Sequence, residues 1–262
     1  GYGLNPPTQP SLYEFAELDK DISSTIGDIR DLETLERVFR KARPELVFHL
    51  AAQPLVRDGY RDPVGTYSAN VMGTVHVLEC IRKSDTVRSV VNVTTDKVYD
   101  NREMPWPYRE TDRLDGYDPY SNSKSCSELA THSYVRSFLR EQGVAVSTMR
   151  AGNVIGGGDF ARERIIPDCI RGALRGESIV VRNPSSVRPY QHVLEPLSAY
   201  LLVAQSQFTD VTVAGSYNVG PEETDSVTTG ELVDLFCRAW GAEAHWHAPE
   251  QRTGPHESGI LR

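Results

Sequence analysis

Four cysteines, Cys80, Cys126, Cys169 and Cys237, are too few and too scattered for a disulfide framework, and they show neither CxxC spacing nor the clustering of a zinc site. They read as reduced structural thiols, and the expected location is cytoplasmic. Long apolar runs are missing too. None approaches the length of a membrane span, and no charged leader followed by an apolar segment opens the chain. Nor does any basic block offset the formal net charge of -8, which argues against nucleic acid or an anionic membrane as a main partner; anions must be gripped locally. Internal repeats and low-complexity tracts are absent. His245 and His247 would share one face of a strand, but no carboxylate or thiol pairs with them by spacing and Trp246 between them suggests packing, so no metal site is expected.

What is present is an alternation of strand and helix signals. Of the 262 residues, 39% are hydrophobic and 24% charged, the make-up of an ordinary globule able to bury a sizeable core. After a polar, loop-like stretch over 5–26, Leu32, Leu35, Val38 and Phe39 recur at helical spacing, and Leu46–Ala52 is a short apolar run suited to a buried parallel strand. A helix over Pro63–Lys83, a strand over Val90–Thr94, a helix over Tyr120–Gln142 and a strand over Val144–Met149 continue the pattern. Such alternation predicts an α/β fold, a doubly wound parallel sheet, over residues 1–150. Beyond Arg150, Gly152 and Gly156–Gly158 break the rhythm. Residues 151–262 are expected to be mainly a smaller mixed α/β lobe with some returns to the sheet, including a helix from a capping box at Thr228–Glu231.

The chemistry concentrates at Val91–Tyr99 and Tyr120–Lys124. An apolar strand ending in Thr95-Asp96-Lys97 sets three proton-handling side chains at the lip of a sheet, where open α/β folds bind ligands. Tyr120 and Lys124, four residues apart, share one face of a helix. An ammonium one turn away is expected to lower the Tyr pKa from about 10 towards neutral, fitting it for the proton transfer that accompanies oxidation of an alcohol by a nicotinamide cofactor. The spacing alone is weak; its position behind a Thr-Thr-Asp strand end strengthens it. Arg164, Arg171, Arg182 and Arg188 form either a solvated surface or a grip on a diphosphate, and Asn153 is placed to hydrogen-bond a sugar or diphosphate.

On these residues the chain resembles the extended short-chain dehydrogenase/reductase superfamily, with its Rossmann-like fold. The resemblance makes Thr95, Tyr120 and Lys124 the catalytic triad and NAD the cofactor, with Asp28 and Ile29 at the adenine, Ala51, Ala52 and Gln53 at a strand end beside the cofactor, and Thr74 on the helix backing the nicotinamide, where Tyr120 and Lys124 also bind. Within the superfamily, Ala51–Arg57, Tyr99–Glu103, Gly116–Lys124, Arg150–Asp159 and Arg188–Leu197 resemble the CDP-glucose 4,6-dehydratase family, and Asp96-Lys97 stands where dTDP-glucose dehydratases carry Asp-Glu. The resemblance implies CDP-glucose as substrate, bound in part by Asn153, Arg164 and Arg188. Once C4 is a ketone, the C5 proton is acidic. Asp96 with a raised pKa would then protonate the departing C6 hydroxyl, while Lys97 acts as base if neutral, or through water. It also implies a homodimer paired through the helices that start near Pro63 and Tyr120.

The alternatives are another nucleotide-sugar 4,6-dehydratase, a 4-epimerase, or a noncatalytic NAD-binding relative. The family's glycine-rich N-terminal turn is not in the chain, which begins downstream of it. Both ends read as cut, so this polypeptide alone is expected to bind NAD weakly. Val98 and Tyr190 replace the Cys and Trp expected at those positions.

Overall fold

The computed structural model describes residues 1–104, 106–222, 225–241, 243–250 and 259–260. Its strands are β1 (Tyr2–Gly3), β2 (Thr25–Ile26), β3 (Leu46–His49), β4 (Ser89–Val93), β5 (Ala145–Ala151), β6 (Val154–Ile155), β7 (Ile179–Val180), β8 (Val187–Arg188), β9 (Gln191–His192), β10 (Ser216–Val219), β11 (Val227–Thr228) and β12 (Trp246–His247). The α-helices are α1 (Leu12–Phe15), α2 (Leu32–Ala42), α3 (Val56–Arg61), α4 (Pro63–Tyr67), α5 (Gly73–Arg82), α6 (Pro119–Tyr134), α7 (Ile165–Leu174), α8 (Leu194–Thr209) and α9 (Thr229–Trp240).

Strands β10, β5, β4 and β3 lie side by side in that order, all parallel, with helices on both faces, the α/β arrangement that the alternation predicts. Strand polarity explains the two-sided core. Val90 and Val91 point to opposite faces. Val90 joins Leu35 of α2, Leu78 and Ile81 of α5 and Val146 of β5, whereas Val91 joins Met149 and Tyr200 and Ala204 of α8. The sheet departs from the expectation of one continuous winding, because β1 and β2 pair only with each other as a separate two-stranded parallel sheet. Tyr2 nevertheless packs against the Ile29–Leu35 core, so both sheets share one apolar interior.

The helix expected over Pro63–Lys83 runs through α4 and α5, but a π turn, Ser68–Met72, joins them. The extra residue in that turn re-aims Asn70 into the interior. There its side chain accepts from the Gln53 amide and donates to the Gln53 carbonyl and the Ser123 hydroxyl. A second π turn, Val135–Leu139, extends α6.

Beyond residue 150 the chain divides its work. β10 and α8 return to the main sheet, while α7, α9, β7 and β12 enclose a separate small core of Cys169, Ile179, Val181 and Val233. The capping box forms, with Thr228 and Glu231 bonding reciprocally. Ile260 bridges Val187, and Leu261 and Arg262 lie outside the described residues. Replacing Leu78, 2% exposed in the larger core, by Ala is expected to destabilise the fold by about 3 kcal/mol. A loss below about 1 kcal/mol in denaturant unfolding would remove Leu78 from the main core.

Candidate active site

Two local signals build the site. Strand β4 ends at Val93, and Thr95 then caps a tight turn, Asp96–Val98, through its side chain and the Lys97 amide. Helix α6 starts opposite because Asp118 accepts hydrogen bonds from the Tyr120 and Ser121 amides and the Ser121 hydroxyl, with Pro119 in the first turn. Gly116 permits the approach, since a Cβ there would lie 2.4 Å from the Ser121 carbonyl carbon.

The structure brings Thr95, Asp96, Lys97, Tyr120 and Lys124 into one neighbourhood. Thr95 Oγ1 donates to Asp96 Oδ1 at 2.9 Å and lies beside the Tyr120 phenol, whose pKa it pulls down. Lys124 Nζ donates to the Val93 carbonyl at 3.0 Å. Burial drives the titration of all four ionisable groups. It pushes the Tyr120 phenol up to about 12 against the opposing Thr95 hydrogen bond and Arg164 charge, and Lys124 down to about 8 against the opposing Glu128 charge. The expectation that Lys124 brings Tyr120 towards neutrality is therefore corrected: desolvation outweighs the nearby charges. Asp96 is raised and Lys97 lowered, again by burial, each against the other's attraction. Both shifts favour the uncharged forms, a carboxylic acid beside an amine.

A cleft of about 200 Å³ opens over this turn, lined by Lys97, Asp118, Asn153, Arg164, Arg182 and Arg188 among others. Arg164 keeps a buried Nε with no hydrogen-bond partner among the described residues, and so does Asp96 Oδ2. Such orphaned groups are costly unless a ligand meets them. Arg171, by contrast, spends its guanidinium on the Phe160 and Ala161 carbonyls and on Asp168. The sequence reading gave no role to Arg57 and Asp118, which also line the cleft. Arg57 closes the Ala51–Arg57 motif, and an Asp-Pro before the Tyr is a helix-start signal that could have found Asp118. His245 and His247 do not line the cleft, and among the described residues no group of three or more His, Cys, Asp or Glu could hold a metal.

Of the residues assigned to the cofactor, Asp28 and Ile29 follow β2, Ala51, Ala52 and Gln53 follow β3, Thr74 lies on α5, and Tyr120 and Lys124 lie on α6. Asp28 stays ionised, held below its ordinary pKa by Arg30, and is partly exposed. Ile29 is buried, and Ala51 and Ala52 leave a shallow, small-residue surface after β3. Gln53 is turned inward onto Leu55 and Thr66, and Thr74 is engaged with His49, Ser127 and the Asn70 carbonyl, so both back this surface. The Lys124 ammonium carries three donors, of which Val93 takes one. A small-residue floor, an acceptor carboxylate at one end and a multidentate ammonium at the other fit an extended dinucleotide.

Holding that ammonium has a stability consequence. The pKa of Lys124 falls from 10.5 to about 8 on folding, so at pH 7 the folded state carries a penalty of about 3 kcal/mol that disappears once both states are neutral above about pH 10.5. Lys124→Met is expected to be more stable than the parent by about 2 kcal/mol at pH 7, after loss of the Val93 hydrogen bond, with the advantage shrinking as pH rises from 8 to 10.5. Denaturant unfolding across that range checks the sign; an advantage that grows with pH would refute it.

The chain is 47% identical, over its whole length and 74% of the relative's, to CDP-glucose 4,6-dehydratase of Salmonella typhimurium. Among solved structures it matches UDP-glucose 4-epimerase of Thermus thermophilus in complex with NAD, with a TM-score of 0.79 and 27% identity over 92% of this chain and 76% of that one. It also matches dTDP-glucose 4,6-dehydratase of Streptomyces venezuelae with NAD bound, with a TM-score of 0.76 and 25% identity over 94% and 72%. A model of the NAD dependent epimerase/dehydratase family matches residues 8–220, and the chain belongs to that family.

Proposed function

We propose that this protein is an NAD-dependent CDP-glucose 4,6-dehydratase, converting CDP-glucose to CDP-4-keto-6-deoxy-glucose with loss of water. The observation that carries the reading is the placement of Asp96 and Lys97 on the turn capped by Thr95, against Tyr120 and beneath a cleft that Arg164, Arg182 and Arg188 make cationic in a chain of net charge -8. Full-length identity of 47% to a CDP-glucose enzyme supports the choice of base.

Tyr120 takes the proton of the C4 hydroxyl as its phenolate, the form that Thr95, the Arg164 charge and the Lys124 ammonium one turn below favour against burial. NAD, when bound, supplies the hydride acceptor for C4 and the donor for C6. The C4 ketone acidifies C5. Lys97, pushed towards its neutral form by burial, takes the C5 proton, and Asp96, pushed towards its protonated form, delivers a proton to the C6 hydroxyl as it leaves as water. With hydride returned to C6 and a proton to C5, redox balances and one water is lost. Arg164, Arg188 and Asn153 grip the diphosphate and sugar at the mouth, where planar guanidinium groups suit paired phosphate oxygens. Asp28, Ile29, Ala51, Ala52 and Lys124 hold the cofactor, with Gln53 and Thr74 behind them.

The free thiols, and the lack among the described residues of any helix long and apolar enough to cross a membrane, support a cytoplasmic location. Exposed Val64 on α4, Met72 in the π turn and Leu129 on α6 support pairing of two copies through these helices.

Incubated with CDP-glucose and NAD, the full-length protein is expected to give a product with the alkaline absorbance of a 4-keto-6-deoxy sugar; turnover of dTDP-glucose without CDP-glucose would overturn the base assignment. Asp96→Asn is expected to cut dehydration at least 100-fold while leaving reduction of NAD by the C4 alcohol measurable, because only the elimination needs the acid. Loss of both partial reactions together would dissociate Asp96 from that step. A 4-epimerase would keep its interconversion in the same variant.

A further inference from the structure

The turn that carries Thr95, Asp96 and Lys97 is gripped on both sides by one buried ion pair outside the cleft. Arg150, on β5 and 2% exposed, donates from Nε to Glu128 Oε1 at 2.9 Å and from Nη2 to Glu128 Oε2 at 2.9 Å. Glu128, fully buried on α6 one turn beyond Lys124, accepts from Thr94 Oγ1 at 2.5 Å. Arg150 Nη1 donates to the Tyr99 hydroxyl at 2.8 Å and to the Glu110 carbonyl at 2.9 Å, with the guanidinium 5.2 Å from the Tyr99 ring centroid. Thr94 is the residue before the turn's cap and Tyr99 is the residue after the turn. Tyr99 is anchored further by stacking on Tyr108 and by donating to Asn218 Oδ1 at 2.6 Å.

We propose that Glu128 and Arg150 are positioning residues, a rigid fork that fixes the height of the Thr95–Val98 turn against α6 so that Thr95 and Asp96 meet Tyr120. Three observations lead there. A buried ion pair is a poor device for stability alone, because desolving two charges offsets their attraction and an apolar pair of equal volume serves as well or better. What charge and a bidentate fork add is direction. Every donor nitrogen of Arg150 is used, and the acceptors lie on α6, on the segment after the turn and on the 101–114 excursion, so no other rotamer meets them all. Finally, neither residue lines the cleft, so a role in gripping the nucleotide sugar is not open to them.

The proposal rests on the assignment of Thr95, Asp96 and Tyr120 to the reaction, and its test separates the two. Two variants of the full-length enzyme serve: Thr94→Val, which keeps shape and leaves the ion pair intact, and Glu128→Leu/Arg150→Met, which removes both charges at similar volume. With CDP-glucose and NAD, Thr94→Val is expected to lose about tenfold in kcat and the double variant about 100-fold, both with KM within about twofold of the parent. Independently of activity, amide hydrogen exchange over 94–99 is expected to rise in both variants while the α5 and β4 core stays protected. A double variant that folds, keeps the parent kcat and leaves exchange over 94–99 unchanged would reduce the pair to packing. So would a rise in KM at constant kcat. If the double variant does not fold, Thr94→Val decides by the same readings. A parent without turnover would fail the dehydratase assignment, and exchange over 94–99 would still judge the brace.

Discussion

Everything at this site depends on a ladder of buried polar contacts between the end of β4 and one face of α6. Asn92 donates to Ser127 and Thr131, Lys124 to the Val93 carbonyl, Thr94 to Glu128, and Thr95 is joined to Tyr120. Four consecutive residues, 92–95, are thereby tied to positions spread over residues 120–131 of one helix. A purely apolar contact would hold strand and helix together but tolerate sliding, whereas directional bonds with desolvated partners leave one register. This register sets a phenol, a hydroxyl, a carboxyl and two amines around one strand end, on elements that the hydrophobic core has already fixed.

The same burial that makes the ladder specific sets the electrostatics. Desolvation acts first on every ionisable group of the site, raising Tyr120 and Asp96 and lowering Lys97 and Lys124. The result is a carboxyl and an amine that burial biases away from their charged forms, next to a cleft whose rim carries several arginines. In an acidic protein the cleft still carries an excess of cationic side chains, with Arg57, Lys97, Arg164, Arg182 and Arg188 set against Asp118, Glu163 and Asp168. The cost falls on stability, since Lys124 would fit the interior better as an apolar side chain.

Much of this was legible in the chain. The alternation of apolar runs gave the α/β winding, Val91–Tyr99 marked the strand end, and the Tyr120–Lys124 spacing placed both side chains on one helical face. The capping box at Thr228–Glu231 formed as read. What was missed has a common cause. Helix α6 buries Ser121, Ser123, Ser125, Ser127 and Thr131, small hydroxyls whose partners lie on its own preceding turn or on distant segments, so apolar periodicity does not mark its inner face. The π turn at Ser68–Met72 is likewise silent in the sequence, because only its contacts with Gln53 and Ser123 reward it.

The sequence by itself determined the residue types able to do redox and elimination chemistry, their order along alternating strands and helices, and the family they mark, because these depend on local periodicity and short spacings. Only the tertiary structure decided their charges and mutual positions: that the Tyr120 phenol is raised by burial and not lowered by Lys124, that Arg171 bonds to its own neighbouring carbonyls while Arg57 and Asp118 line the cleft, and that the Arg150–Glu128 pair hydrogen-bonds to Thr94 and Tyr99 on either side of the Asp96–Val98 turn. Burial and orientation are sums over neighbours far apart in the chain, and no local pattern encodes them.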